Sequence, residues 1–141
     1  MNNIQEKKFS NEITLVTGST QGLGRSIAKH FVQNGIKNIV ISGRNENNAK
    51  NVLKELEQLG AEPIFIKAEL SDLNACNYLI EEIDNKFGKI DILVNSAALT
   101  ERGTILSTSA ELFDKMININ VRAPFFLIQA CAKIMRREKS G

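Results

Sequence analysis

Aromatic side chains are scarce in this sequence, which has no tryptophan, one tyrosine and seven phenylalanines among 141 residues. A platform of aromatic rings on which nucleic-acid bases stack is therefore not expected. Basic and acidic residues almost balance, and the formal net charge of +2 is too small to favour nucleic acid or an anionic membrane surface as a partner. The composition thus predicts no nucleic-acid partner and no membrane partner.

Cysteine and histidine are also rare. Cys76 and Cys131 are the two cysteines, and neither belongs to a paired-cysteine motif, so we expect reduced, mostly buried thiols. His30 is the one histidine, and no metal site is predicted. Residues 1–12 lack the apolar core of a signal peptide, and no apolar stretch approaches the length of a membrane span. We therefore predict a cytoplasmic protein with a flexible arm over residues 1–12.

What the sequence does contain is a regular alternation of apolar runs and helical patterns. The short runs predict strands buried on both faces, and the helical patterns between them predict helices that cover the strands. The runs occupy residues 13–16, 38–42, 63–67 and 90–94. This alternation predicts one α/β domain over residues 13–141 with a Rossmann-like, doubly wound parallel sheet in the order 3-2-1-4.

A glycine-rich turn follows the first apolar run. Gly18, Gly22 and Gly24 lie between the predicted strand and the first helix, an arrangement that presents backbone N–H groups and a positive helix end to a phosphate. We expect Gly18 to permit the tight turn, Gly22 to leave room for a pyrophosphate and Gly24 to let the helix pack closely. The spacing matches neither G-x-G-x-x-G nor a Walker loop, and a plain connecting loop is the alternative.

The segment Thr17-Gly18-Ser19-Thr20-Gln21-Gly22-Leu23-Gly24 resembles the Thr-Gly-x-x-x-Gly-x-Gly pattern of the short-chain dehydrogenase/reductase (SDR) family. Three later segments resemble family motifs in the same order, so the resemblance covers residues 13–141. It implies an oxidoreductase that moves hydride between a nicotinamide cofactor and an alcohol or carbonyl carbon. Within the turn it implies cofactor contacts from the three glycines and from Ser19, Gln21 and Leu23.

Residues after the second and third strands bear on the choice of cofactor. Arg44 stands where an acidic residue would hold the ribose hydroxyls of NAD, and its planar guanidinium suits a 2′-phosphate. We therefore expect NADP, with NAD possible, while a solvated arginine in a turn is the alternative. The resemblance further implies that Glu69 and Leu70, which replace the family's Asp-Val or Asp-Leu pair, contact the adenine.

Two asparagines belong to the remaining motifs. Asn95-Ser96-Ala97-Ala98 resembles the family's Asn-Asn-Ala-Gly, which implies cofactor contacts from Asn95 and Ala97, whereas an Asn95 that only ends its strand is the alternative. Asn120 matches the asparagine of the family's catalytic tetrad, in a helix that we predict over residues 111–137. Pro124 cannot donate a hydrogen bond to the Asn120 carbonyl, which in the family holds a water of the proton relay. An ordinary proline kink is the alternative here.

The catalytic tyrosine of the family, with a lysine four residues later, has no match in these residues. Tyr78 is the one tyrosine, and Glu82 follows it four residues later. We therefore expect the N-terminal half of such an enzyme, truncated before its fifth strand and inactive alone. When complete, it would be a homo-oligomer that acts on a small alcohol or carbonyl substrate. The alternatives are a non-catalytic nucleotide-binding or regulatory module and another parallel-sheet class such as a methyltransferase.

Overall fold

A computed structural model describes residue 9 and residues 11–141 of the chain. The predicted flexible arm over residues 1–12 lies almost entirely outside these described residues. Strands and helices alternate through the described part, and one π-helical turn interrupts the last helical stretch. In chain order the elements are β1 (Ile13–Thr17), α1 (Gly22–Gln33), β2 (Asn38–Gly43), α2 (Glu46–Gln58), β3 (Glu62–Lys67), α3 (Leu73–Phe87), β4 (Ile92–Val94), α4 (Ala110–Ile117), the π turn (Asn118–Arg122) and α5 (Ala123–Glu138).

The strands form one parallel sheet in the order β3-β2-β1-β4. In the register, Leu15 of β1 lies between Val40 of β2 and Leu93 of β4. Each crossover between neighbouring parallel strands carries a helix, because parallel strands need a long connection that returns to the same end of the sheet. The predicted Rossmann-like α/β fold and its strand order are confirmed.

Successive residues of the strands serve opposite faces of the sheet, as the two-residue period of a strand requires. Leu15 and Val40 belong to the core that packs against α3 and α5. Val16 and Ile41 belong to the core that packs against α1 and α2. The strands therefore carry apolar residues toward both faces of the sheet, because helices cover both faces.

The predicted helix over residues 111–137 has a break in its hydrogen-bond pattern. Within the π turn, the Ala123 N–H donates to the Asn118 carbonyl five residues back, whereas an α-helix uses the carbonyl four residues back. Pro124 follows at the start of α5, where its missing N–H is tolerated. The backbone stays right-handed through the π turn, so the helix continues past the proline. None of the described helices combines the length and apolar character needed to cross a membrane.

β4 is shorter than the predicted strand over residues 90–94. At Asp91 the backbone N–H still donates to the Ile13 carbonyl at 2.9 Å, but the return bond, from the Ile13 N–H, goes to the Asp91 side chain. The Asp91 carboxylate accepts a hydrogen bond of 2.8 Å from the Ile13 N–H and lies 2.9 Å from the Lys89 ammonium. The Ser140 hydroxyl lies 3.3 Å from its other oxygen. Burial disfavours the charged form, but the bonds from Ile13 and Lys89 outweigh it and hold the pKa of Asp91 below 3.8.

We predict that Asp91→Ala lowers the free energy of unfolding by about 1–3 kcal/mol at neutral pH, because the buried Ile13 N–H loses its partner. Since the pKa of Asp91 is lowered by folding, this stabilisation is present above the ordinary carboxyl value of 3.8. It is lost as pH falls through the folded-state value. Urea unfolding of Asp91→Ala and of the unmodified protein, at neutral pH and at a series of pH values below 3.8, measures both effects.

Asp114→Ala is the control, because Asp114 lies exposed on α4 and its removal should change the free energy of unfolding by no more than about 0.5 kcal/mol. An equal loss in both variants, or a loss in Asp91→Ala that does not shrink as pH falls below 3.8, would contradict the role of the Asp91 carboxylate.

Candidate functional site

A cleft of about 920 Å³ opens at the carboxyl ends of the four strands. Its walls come from the loops that follow β1, β2, β3 and β4, which parallel pairing brings to the same edge of the sheet. Most of the predicted cofactor-binding residues lie in these walls. They are Gly18, Gln21, Gly22, Leu23, Gly24, Arg44, Glu69, Leu70 and Ala97.

The loops after β1 and β4 touch at the centre of the cleft. Gly18 has a positive φ of +63°, and a Cβ atom there would lie 2.6 Å from the Ala97 Cα. The Thr17 hydroxyl accepts hydrogen bonds from the N–H groups of Ser96 (3.2 Å) and Ala97 (3.3 Å). A glycine at position 18 is thus required both by its backbone conformation and by the neighbouring chain.

The amino end of α1 faces the cleft across Gly22. Gly22 has a φ of +55°, and no atom lies within 4 Å of the position its Cβ would take. A Cβ at Gly24 would lie 2.8 Å from the Gly18 carbonyl carbon, so the helix packs directly on the turn. Gln21 precedes the helix without a side-chain cap, and the first helical turn holds no acidic residue. Space, free N–H groups and a positive helix end therefore coincide at Gly22.

Ser19 lies outside the cleft lining although we predicted that it contacts the cofactor. Its hydroxyl donates to the Val16 carbonyl and accepts from the Ser42 N–H at 3.0 Å, and its own N–H donates to the Ser42 carbonyl at 3.0 Å. The side chain is fully buried. Ser19 therefore ties the glycine turn to β2, a contact between residues distant in sequence that the motif alone does not reveal.

Thr20 lines the cleft instead, although no role was predicted for it. A Cβ at Gly43 would lie 2.8 Å from both the Thr20 hydroxyl oxygen and its methyl carbon, so Thr20 packs on the end of β2. The glycine pattern accepts any residue at this position. The sequence signal for this role was the hydroxyl group of Thr20, because a threonine hydroxyl can donate a hydrogen bond to a phosphate oxygen.

Two ion pairs stand at the far end of the cleft, where β2 and β3 end. The Arg44 Nη1 lies 3.6 Å from the Glu69 Oε2, and the Lys67 ammonium lies 2.9 Å from the Glu46 Oε1. The hydrogen bond from Lys67 lowers the pKa of Glu46. Lys67 is a cleft residue that sequence analysis missed. It ends the predicted strand over residues 63–67 and lies beside Gly43 in the register, a pairing of individual residues that the predicted strand order does not specify.

The two predicted asparagines lie outside the cleft lining. Asn95 is exposed directly after β4, and Ser96 and Ala97 form the wall there. The Asn120 side-chain amide forms hydrogen bonds with both the N–H and the carbonyl of Leu99. Its Oδ1 accepts from the Leu99 N–H at 2.8 Å, and its Nδ2 donates to the Leu99 carbonyl at 2.9 Å. Asn120 thereby positions the loop after β4, of which Leu99 is a cleft residue.

Arg122 performs a similar task two residues further along the π turn. Its guanidinium donates a 2.7 Å hydrogen bond to the carbonyl of Ser71, in the loop after β3. The Arg122 Nε is buried without a hydrogen-bond partner among the described residues. The π turn therefore connects the loops that follow β3 and β4, and both of these loops form walls of the cleft.

Neither cysteine supplies a nucleophile to the cleft. Burial raises the pKa of Cys76, and burial raises the pKa of Cys131 to about 12. Both thiols are unpaired and buried. Because the thiolate is the reactive form, these side chains act as apolar core residues.

Comparison with known proteins shows where this fold and cleft belong. The profile of the short chain dehydrogenase family matches residues 12–141. The chain is 34% identical over 135 residues to dehydrogenase/reductase SDR family member 7B of Xenopus tropicalis, covering 92% of this chain and 43% of that protein. It is 31% identical over 127 residues to the 3-oxoacyl-[acyl-carrier-protein] reductase FabG of Staphylococcus aureus, covering 90% of this chain and 52% of that protein.

Solved structures agree with this result. A metagenomic short-chain oxidoreductase in complex with NADP superposes with a TM-score of 0.89 at 27% identity, covering 94% of this chain and 60% of that one. A short chain dehydrogenase from Burkholderia cenocepacia in complex with NADP superposes with a TM-score of 0.84 at 31% identity, covering 89% of this chain and 51% of that one. The chain spans about half the length of the curated relatives it matches, and it belongs to the short-chain dehydrogenase family.

Proposed function

We propose that the full-length protein is an NADP(H)-dependent oxidoreductase of the SDR type and that residues 13–141 form its cofactor-binding part. The cleft at the glycine turn carries this proposal, because it joins open space, free backbone N–H groups and an exposed arginine in one continuous wall. Two similar structures were solved with NADP. The proposed substrate is a small alcohol or carbonyl compound, between whose reacting carbon and the nicotinamide a hydride would pass.

The residues of the cleft fit a dinucleotide. Gly22 leaves an open position in front of the amino end of α1, where a pyrophosphate would accept hydrogen bonds from backbone N–H groups. Gln21 and Leu23 flank that position, and Leu70 and Ala97 line the cleft farther from the turn. We propose that these residues hold the cofactor.

Arg44 supports NADP over NAD as the preferred cofactor. Its side chain is 62% exposed at the cleft, with Glu69 at 3.6 Å as its ionic partner. The planar guanidinium can donate two parallel hydrogen bonds to a 2′-phosphate. An acidic residue, which would select the ribose hydroxyls of NAD, does not occupy this position.

Asn120 is proposed to serve the reaction in two ways. Its side chain holds Leu99 and so maintains the loop after β4 beside the place of the nicotinamide. In an α-helix the backbone carbonyl of Asn120 would accept a hydrogen bond from the N–H of residue 124. That residue is Pro124, which has no N–H to donate. We propose that this carbonyl accepts a hydrogen bond from a water that carries protons to the catalytic acid.

A homo-oligomer is also proposed for the full-length protein. Large apolar side chains at spacings of three and four residues form an exposed row along α4, the π turn and α5, which marks one face of a continuous helix. The row consists of Phe113, Ile117, Val121, Phe125 and Ile128. A second copy of the chain is the proposed partner of this row.

We also propose a cytoplasmic location, which the two unpaired, buried thiols support.

A non-catalytic nucleotide-binding module is the alternative, because these residues contain no tyrosine followed four residues later by lysine. Steady oxidation of NADPH by the full-length protein with simple carbonyl compounds would favour the oxidoreductase, whereas tight binding without turnover would favour the module.

We predict that Gly22→Ala weakens binding of NADPH at least about tenfold in the full-length protein, because the added methyl group takes the space that the pyrophosphate needs. Gly60→Ala is the matched control. Gly60 also has a positive φ with open space around its Cβ position, so both variants carry a similar backbone strain of about 1–2 kcal/mol. Fluorescence titration measures binding, and equal affinities in the two variants would remove the glycine turn from the proposed site.

We predict that the full-length protein binds NADPH more tightly than NADH and that Arg44→Ala removes most of the difference. One charge-assisted contact to the phosphate contributes about 1.5–3 kcal/mol, or roughly ten- to a hundredfold in affinity. Arg25→Ala is the control, because Arg25 is a partly exposed, ion-paired arginine on α1 outside the cleft lining. Equal affinities of the unmodified protein for the two cofactors would end the NADP assignment.

We predict that Phe125→Glu lowers the oligomeric state of the full-length protein, because a carboxylate at a 61% exposed position of the apolar row would be buried against a second copy. Leu59→Glu places the same charge at an exposed apolar residue outside the row and should leave the mass unchanged. Sedimentation velocity distinguishes the two. An unmodified protein that is monomeric would contradict the proposed assembly.

A further inference from the structure

Four charged side chains surround the end of the cleft where β2 and β3 stop. The register pairs Gly43 with Lys67, so the residues that follow each strand lie side by side. The charges form two pairs of opposite sign, Arg44 with Glu69 and Lys67 with Glu46. Both cations that face this end of the cleft therefore already have a carboxylate partner.

The two pairs differ in kind. The Lys67 ammonium and the Glu46 carboxylate are 2.9 Å apart, which is a hydrogen-bonded contact. The Arg44 Nη1 and the Glu69 Oε2 are 3.6 Å apart, which is an ionic contact beyond hydrogen-bond distance. Among the described residues the Arg44 side-chain N–H groups therefore have no hydrogen-bond acceptor, while the charge of the guanidinium is partly compensated by Glu69.

Glu69 is held in place by its own loop. Its Oε1 accepts a hydrogen bond of 3.3 Å from the Ser71 N–H, and the Asp72 N–H donates to its backbone carbonyl at 3.0 Å. The Arg122 guanidinium holds the Ser71 carbonyl from the other side. The bond from Ser71 favours a position of the carboxylate beside Arg44. Its negative charge therefore lies near the place that an anion bound to Arg44 would take.

We propose that Glu69 is a specificity-determining residue that competes with the 2′-phosphate of NADP for Arg44. It weakens binding of the phosphorylated cofactor and leaves NAD almost unaffected, so the protein discriminates less between the two than Arg44 alone would allow. The proposal rests on the proposed function, since it concerns the same cleft. It differs from the expectation that Glu69 contacts the adenine, because the carboxylate faces an arginine and a backbone N–H.

The test is a comparison of dissociation constants for NADPH and NADH, measured by cofactor fluorescence on the full-length protein. Glu69→Gln keeps the size of the side chain and removes its charge. We expect NADPH to bind about two- to fivefold more tightly, the range that an exposed ion pair spans, and NADH to change less than twofold. Thermal unfolding without cofactor shows whether the variant is folded.

Glu62→Gln is the matched control for the loss of one negative charge. Glu62 begins β3 at the opposite end of the strand and is exposed there. A ratio of NADPH to NADH affinity that rises equally in both variants would reduce the effect to net charge and overturn the proposal. An unchanged ratio in both variants would do the same.

A double variant tests whether Glu69 acts through Arg44. In an Arg44→Gln background, Glu69→Gln should improve NADPH binding by less than half the factor that it gives beside Arg44. An equal gain in the two backgrounds would overturn the competition. Failure of the unmodified protein to bind either cofactor would overturn the proposed function and this inference together. Binding of NADPH without any response to Glu69→Gln would overturn the inference alone.

Discussion

The close approach of β1 and β4 at their carboxyl ends is the constraint on which the rest of the site depends. A methyl group at Gly18 would lie 2.6 Å from the Ala97 Cα, and the Thr17 hydroxyl holds the N–H groups of Ser96 and Ala97. With these two loops in contact, the crevice opens beside them and α1 presents its amino end to it. A longer distance between the loops would separate the glycine turn from the wall that Ala97 forms.

The charged end of the cleft shows how a parallel register brings separate sequence signals together. Arg44 and Glu69 are 25 positions apart in sequence but follow neighbouring strands, so their charges meet across the β2–β3 pair. In an exposed position such a pair contributes little to folding. The ion pair matters for binding instead, because its two charges together determine the electrostatic field that an approaching anion experiences. Function at this end of the cleft is therefore a property of the pair.

Side chains of the π turn hold two loops of the cleft in place, in addition to the packing of the long helix against α3. Asn120 holds the backbone of Leu99 and Arg122 holds the carbonyl of Ser71, so a single turn connects the loops after β4 and β3. Pro124 accounts for part of this geometry, because a helix adapts to a missing N–H by a local change in its hydrogen-bond pattern. Side chains two positions apart then point toward different loops.

The sequence alone determined the strand order, the two covered faces and the glycine turn, because apolar periodicity and glycine spacing are local patterns with few structural solutions. It also identified Arg44 as an unusual cation after β2. Tertiary structure alone decided that Ser19 turns inward to β2, that Lys67 joins the cleft, that Asn120 holds Leu99 and that Glu69 faces Arg44. Each of these contacts joins residues at least 21 positions apart or depends on the strand register. A side chain's partner across such a distance is set by packing, which no local pattern in the sequence records.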